Sequence, residues 1–400
     1  MTVTLDSIKE AKETIMGVAK KTPLIESPAL GASVGGEVYF KYENLQKTGS
    51  FKIRGAANKI AHLTAQEQKQ GVIAASAGNH AQGVALSATA RGIKATICMP
   101  ATTPIAKISA TKGYGGNIVL CGAAYDEAYA KAVEVQKETN AVFVHPFDDE
   151  YVIAGQGTIA LEILEDLPEV NQVLVPIGGG GMISGIAAGI KLSNPNIKVI
   201  GVETANIPSM KESVAAGQKL TVPAGTTIAD GINVRTPGAI TFEMVSKYVD
   251  EIVTVTEDEI ANAMLYLMEK GKILAEGAGA TPLAAVLAGK VSCTDKKTVI
   301  LVSGGNADIN FIDRIINKAL MNQGRRAEFK VVMHDRCGES EKLLGLISAC
   351  NANILFLTQT MYNSSLNINM QEMTLVLECS DKEHRDLIAK KIKEAGYILR

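Results

Sequence analysis

The chain has 400 residues, 46% hydrophobic and 20% charged, enough for two or three domains and a large core. Lys and Arg total 40 against 42 Asp and Glu, so charge gives no reason to expect nucleic acid or an anionic membrane as partner. The six cysteines (Cys98, Cys121, Cys293, Cys337, Cys350 and Cys379) form no CxxC pair, which speaks for reduced thiols and against a disulfide framework or a zinc site.

The N-terminal "MTVTLDSIKEAKETIMG" has the pattern of a charged amphipathic helix. It lacks the basic and apolar regions of a signal peptide, and no apolar run reaches membrane-spanning length, so a cytoplasmic setting is expected. From about residue 37 to 325, short β-branched runs alternate with longer helical patterns. The predicted strands are "VYFKYE", "GVIAAS", "KATICMP", "NIVLC", "AVFVHP", "QVLVPI", "KVIGVE", "EIVTVT" and "TVILVSGG". Helices are predicted over "NHAQGVALSATARG" and "YDEAYAKAVEVQKET", and Thr256 with Glu259 has capping-box spacing for another helix start. Such alternation, with nearly all-apolar strands, argues for parallel sheets covered on both faces, divided into two α/β lobes. A polar stretch around Gly324 ends this region. Beyond it, "EFKVVMHD", "SEKLLGLISACNA", "ILFLTQT", "EMTLVLEC", "KEHRDLIAKKIKEAG" and "YILR" read as βαββαβ, a ferredoxin-like pattern.

Four stretches carry chemistry. "SFKIRGA" sets Lys52 between Phe51 and Ile53. Either its stem snorkels with the head in water, or its amine is desolvated and free to attack a carbonyl. "VPIGGGGMISG" places Gly178, Gly179, Gly180 and Gly181 between a strand and a helix. Backbone N–H groups there suit a phosphate, although a ligand-free tight turn has the same residues. A dinucleotide reading competes through Glu203 at the end of the next strand, but no G-x-G-x-x-G can be read. "ASAGNHAQG" can hold a carboxylate through Ser76, Gly78 and the helix-start N–H groups, with Asn79 as an amide donor; alternatively it is only a helix cap, and His80 reads as a packed histidine. "VILVSGGNAD" offers the Ser303 hydroxyl as a neutral partner for a ring nitrogen, or Ser303 and Asn306 as caps. Together the four give an amine for a carbonyl, a phosphate cradle, a carboxylate loop and a ring-nitrogen partner, the set that pyridoxal phosphate and an amino acid require.

Seven motifs in order carry a resemblance over about residues 5 to 320: "KTPL" at 21–24, "YENLQKTGSFKIRGA" at 42–56, "SAGNHAQG" at 76–83, "IGGGG" at 177–181, "IADGI" at 228–232, "EGAGA" at 276–280 and "SGGN" at 303–306. The chain resembles the fold-type II pyridoxal-phosphate enzymes (tryptophan synthase β-like), in the branch of threonine ammonia-lyases and serine racemases. The resemblance implies a catalytic domain over 1–324, with a smaller mobile lobe at about 46–144 and a larger lobe from 1–45 and 145–324. It implies that Lys52 forms the internal aldimine beside Phe51, and that Asn79 bonds the ring hydroxyl. Gly178 to Gly181 and Met182 would hold the phosphate, and Ser303 would meet the pyridine nitrogen. Ser76, Ala77, Gly78, Asn79 and His80 would grip the substrate carboxylate.

The implied reaction is β-elimination and deamination of L-threonine to 2-oxobutanoate, and of L-serine to pyruvate. The alternatives are a serine racemase, a hydroxyaspartate dehydratase or a non-catalytic amino-acid sensor. Similar racemases have Ser-Ser-Gly-Asn where this chain has Ala77, and a methyl delivers no proton. They also have an acidic pair for a metal, of which Glu203 is kept and Ser209 replaces the second, so no metal is expected. Residues 327–400 resemble an ACT regulatory module, with Cys337 in "HDRCG" replacing the usual proline. That implies an amino-acid effector and a homo-oligomer, a dimer or tetramer.

Overall fold

The computed structural model describes residues 3–400. The chain divides into two compact units, residues 1–308 and 309–400.

The first unit holds two sheets. A six-stranded sheet runs in the order Leu24–Glu26, Glu37–Tyr42, Lys297–Val302, Gln172–Pro176, Lys198–Thr204, Glu251–Val255. All neighbours are parallel except the first pair, in which Leu24–Glu26 forms an antiparallel edge. A four-stranded parallel sheet runs Asn117–Leu120, Ala95–Met99, Val72–Ala75, Val142–Phe143. All nine predicted strands are present, though "AVFVHP" contributes only Val142–Phe143. The edge strand Leu24–Glu26 is an addition that three residues cannot announce by alternation. The predicted two α/β lobes thus correspond to these two sheets. Thr256 and Glu259 form the expected capping box, with each side chain accepting the other's backbone N–H.

The central strands have apolar side chains on both faces. Val173, Val175, Val199, Val299 and Leu301 share one core with Ile183, Ile186 and Ile190 from the helix Gly181–Ser193. Residues of Lys52–Ala61 and Asn79–Thr89 close one face of the smaller sheet through Ala56, Ile60, Ala81 and Val84.

A buried ionic cluster fastens the helix Lys52–Ala61 in place. The Arg54 guanidinium donates to both oxygens of Glu43 at 2.8 Å, and to Glu162 Oε1 at 2.6 Å and Oε2 at 2.9 Å. Lys41 Nζ donates to Glu162 Oε2 at 2.6 Å and to the Thr22 carbonyl at 2.6 Å. Burial opposes every one of these charges. Even so, the two glutamates hold the Arg54 pKa above its ordinary value, and Arg54 with Lys41 holds Glu162 below the usual carboxylate range.

The second unit has the predicted βαββαβ order: Arg326–His334, Glu339–Ala349, Asn353–Thr360, Met370–Glu378, Lys382–Glu394, Ile398–Leu399. Its sheet order is Asn353–Thr360, Met370–Glu378, Arg326–His334, Ile398–Leu399, antiparallel throughout, which is the ferredoxin-like arrangement. The helix Ile309–Asn322, N-terminal to the polar stretch at Gly324, groups with this unit. Among the described residues no helix is long and apolar enough to cross a membrane.

Removing Arg54 would leave Glu43 buried without an ionic partner and Glu162 with Lys41 alone. Arg54→Leu is expected to destabilise the protein by about 3–5 kcal/mol. Chemical unfolding of the two proteins side by side measures this; a change below about 1 kcal/mol would contradict the pairing.

Candidate active site

Lys52 is the first residue of its helix and follows Phe51. The Phe51 N–H donates to the Ser303 carbonyl at 3.1 Å, and Ser50 bridges to Gly304, so the "GSFK" segment at 49–52 and the "SGGN" turn lie side by side. Lys52 Nζ donates to the Pro146 carbonyl at 2.8 Å and stands 5.2 Å from the centre of the Phe51 ring. Burial lowers its pKa from 10.5 to about 8, with the Glu276 carboxylate partly opposing the shift. The residue as a whole is half-buried. The backbone acceptor and the burial-lowered pKa favour the desolvated reading of Lys52 over the snorkelling one.

Residues 177–180 connect Gln172–Pro176 to the helix Gly181–Ser193. Gly180 has φ +90°, which favours glycine. Side chains on the other three would collide with neighbours: Gly178 with Ile232 Cα at 2.8 Å, Gly179 with the Phe147 ring, and Gly181 with the Phe147 Cα at 2.8 Å. The Gly179 carbonyl accepts the Thr241 hydroxyl at 2.7 Å. The first N–H groups of the following helix have no intrahelical acceptor, so the turn presents donors and a positive dipole end. Met182 is buried in the first turn.

Residues 76–80 stand at the end of Val72–Ala75 and the start of Asn79–Thr89. Ser76 Oγ accepts the Gly78 N–H at 3.2 Å, which shapes the turn, and Ala77 contributes a methyl. His80 is buried, and its Nε2 bonds the Val144 carbonyl at 2.8 Å. Burial, helped by nearby Lys52, pushes its pKa down to about 3. It is therefore a neutral packed histidine, as the sequence suggests, and holds the loop to the chain at 144.

Asn79 Nδ2 donates to Glu276 Oε1 at 2.7 Å, and its Oδ1 accepts from Asn306 Nδ2 at 2.7 Å. Asn306 also donates to the Thr48 carbonyl at 2.8 Å. Asn306 is thus no helix cap; it orients Asn79. Burial raises the Glu276 pKa to about 7, against the Asn79 hydrogen bond and the charge of Lys107. Gly304 has to be glycine because a methyl there would overlap Glu276 Oε1.

Glu203 is engaged elsewhere. Its two oxygens accept the N–H groups of Met210 and Lys211 at 2.9 and 2.8 Å, capping the helix Ser209–Ala216, and the Ser209 hydroxyl donates to the Val234 carbonyl. Among the described residues no three His, Cys, Asp or Glu side chains gather as a metal-binding set.

Sequence alone assigns no role to Pro146, Phe147 or Glu276, and to Asn306 only that of a possible cap. Glu276 and Asn306 lie inside motifs quoted above, and "HPFDD" begins at the end of the predicted strand "AVFVHP", where α/β sheets place their ligands. Only that position could have flagged them.

The Glu276 shift has a pH signature. Between pH 4.5 and 7 the folded protein binds more protons at this carboxyl than the unfolded chain does. The associated stability is present below 4.5 and falls as pH rises toward 7. Glu276→Gln should flatten this part of the slope, leaving the share that Glu203, also raised to about 7 by burial, gives to both proteins. Urea unfolding of cofactor-free protein at pH 5 and pH 7.5 checks it; equal slopes would refute it.

Comparison with known proteins agrees with this geometry. The model of the pyridoxal-phosphate dependent enzyme family matches residues 15–304. An L-threonine ammonia-lyase of Thermotoga maritima is 51% identical over 398 residues, covering 100% of this chain and 99% of the relative. A catabolic L-threonine dehydratase of Staphylococcus aureus is 50% identical over 322 residues, 80% of this chain and 93% of the relative. Among solved structures, maize serine racemase superposes with a TM-score of 0.75 at 39% identity, covering 80% of this chain and 99% of its own. With a matching family model over most of its length and a full-length relative at such identity, the chain belongs to the pyridoxal-phosphate dependent enzyme family.

Proposed function

We propose that the chain is an L-threonine ammonia-lyase that converts L-threonine to 2-oxobutanoate and ammonia, and L-serine to pyruvate and ammonia. The observation that carries this reading is the 51% identity along the entire chain to an enzyme of that name. The residues at the site fit pyridoxal 5'-phosphate. Lys52 offers a low-pKa amine, Gly178–Met182 a donor-rich turn closed to side chains, Asn79 an amide fixed from two sides, and Ser303 a neutral hydroxyl. When bound, the cofactor supplies a conjugated ring that spreads the charge left when the α-proton departs.

The protein's own part follows from these groups. Lys52 Nζ would hold the cofactor, and the same amine, when free, would serve as the base for the α-proton. The Pro146 carbonyl accepts a hydrogen from it and fixes its direction. Asn79 Nδ2 gives one hydrogen to Glu276 and has a second for the ring hydroxyl. Helix-start N–H groups after Gly78 receive the substrate carboxylate. Ser303 would meet the ring nitrogen with a neutral hydroxyl, which would not hold it protonated as a carboxylate would.

The likeness to serine racemase keeps a second reading in view, and Ala77 decides against it, because no hydroxyl stands there to return a proton to the opposite face. One assay separates the two. L-threonine and L-serine are expected to yield 2-oxobutanoate and pyruvate, with D-serine absent; D-serine as the main product would overturn the lyase assignment.

The Lys52 role has its own test. Lys52→Ala should abolish borohydride-trapped covalent attachment of the cofactor. In the parent, the attachment rate should rise with pH about a midpoint near 8, where an ordinary lysine titrates at 10.5. Trapping at another lysine would refute the assignment.

The second unit acts as an ACT-type regulatory module that takes part in assembly. Its edge strand Asn353–Thr360 exposes Leu355, Phe356 and Leu357, a surface suited to pairing with a second copy, with an amino-acid effector held between the copies. Gly338 has φ +88° at the start of the helix Glu339–Ala349, and Cys337 before it is exposed. The Staphylococcus relative matches over 322 residues, 80% of this chain, and these make up 93% of its own length, which supports a catalytic part that works without the remaining fifth of this chain. A chain ending at Gly324 should keep threonine turnover and lose any response to isoleucine or valine. An unchanged response in the shortened chain would place the effector elsewhere.

A further inference from the structure

The helix Glu150–Asp166 lies between the two helices that carry opposite ends of the proposed cofactor site. On one side it meets Lys52–Ala61, which begins at Lys52; on the other it meets Gly181–Ser193, which begins at the glycine turn. Both crossings are closer than ordinary side chains permit. A methyl on Gly155 would stand 2.6 Å from the Arg54 carbonyl oxygen and 2.7 Å from Gly55 Cα. A methyl on Gly157 would stand 2.9 Å from the Gly185 carbonyl oxygen, and one on Gly185 only 2.6 Å from the Gly157 nitrogen. Two residues of α-helix turn through roughly 200°, so Gly155 and Gly157 serve opposite sides.

Polar ties fasten the Lys52 side along its length. Arg54 binds Glu162 and donates to the Thr158 hydroxyl at 3.1 Å, Asn58 donates to the Tyr151 carbonyl at 2.8 Å, and Lys59 pairs with Asp149 at 2.6 Å. The glycine-turn side is set by backbone approach at Gly157 and, one turn on, by Gly189, whose added methyl would stand 2.8 Å from Ala160 Cβ.

We propose that the helix Glu150–Asp166 is a rigid spacer that sets the separation between the Lys52 amine and the glycine turn, with Gly155 and Gly157 as its positioning residues. This rests on the assignment of Lys52 and the turn to the two ends of the cofactor. A ligand held at both ends gains from the second attachment only when its holders stand at its own span. Relieving the overlap at Gly157, from 2.9 Å to ordinary contact, needs a shift on the order of 1 Å, enough to remove much of that gain.

The test compares pyridoxal 5'-phosphate with pyridoxal, which lacks the phosphate, on cofactor-free full-length protein. Attachment is trapped with borohydride and mapped to the labelled lysine at a series of ligand concentrations. Gly157→Ala should weaken pyridoxal 5'-phosphate attachment at Lys52 at least tenfold and leave pyridoxal attachment within twofold of the parent. Far-UV circular dichroism and thermal unfolding establish that the variant is folded. Should it not fold, Gly189→Ala supplies the milder displacement, and Gly189→Ala with Ala160→Gly should restore the parent's preference. Equal loss for both ligands, or no loss of pyridoxal 5'-phosphate attachment in the folded variants, would overturn the spacer. Label on a lysine other than Lys52 in the parent would instead overturn the assignment on which it rests.

Discussion

Arg54 lies two residues after Lys52, with its guanidinium locked between Glu43 and Glu162. A charge so deep persists only when its partners satisfy it, and here two carboxylates do so, one of them shared with Lys41. The result is geometric. The first turn of the helix Lys52–Ala61 is held to the strand Glu37–Tyr42, through the turn that follows it, and to the helix Glu150–Asp166. The Lys52 amine inherits that fixed position, although its own side chain has four flexible bonds.

The electrostatics of the site follow from burial in the same small volume. Lys52 falls to about 8, Glu276 rises to about 7 and His80 falls to about 3, each moved toward its neutral form. The three shifts serve different ends. A partly neutral lysine is a nucleophile and a base near neutral pH. A carboxyl near neutrality can stay bonded to Asn79 without imposing a full negative charge beside the ring. A neutral imidazole can only be a strut. In the proposed function, residues of similar polarity would thus serve as base, orienter and structural pin through their depth and their partners.

Amino-acid order by itself determined the alternation of strands and helices, because apolar runs of four to seven residues and capping boxes are local signals. Nine strands of the first unit and the βαββαβ order of the second were legible in this way. So was the glycine turn, since four successive glycines between a strand and a helix leave few other uses. The edge strand Leu24–Glu26 was too short to show a period, and the boundary of the second unit depends on what the helix Ile309–Asn322 packs against.

Only the tertiary structure decided which groups meet. Asn79 finds Glu276 across 197 residues of chain and Asn306 across 227, and Lys52 finds the Pro146 carbonyl across 94. A sequence displays residue type and local period, and neither encodes a partner that distant. Whether Lys52 is desolvated, whether His80 is a base or a pin, and whether Glu203 is free or already caps a helix are all questions of depth and of neighbours. The physical reason is the same in each case: burial and hydrogen-bond geometry are properties of packed elements, and they come into being only when the sheets and helices close around the site.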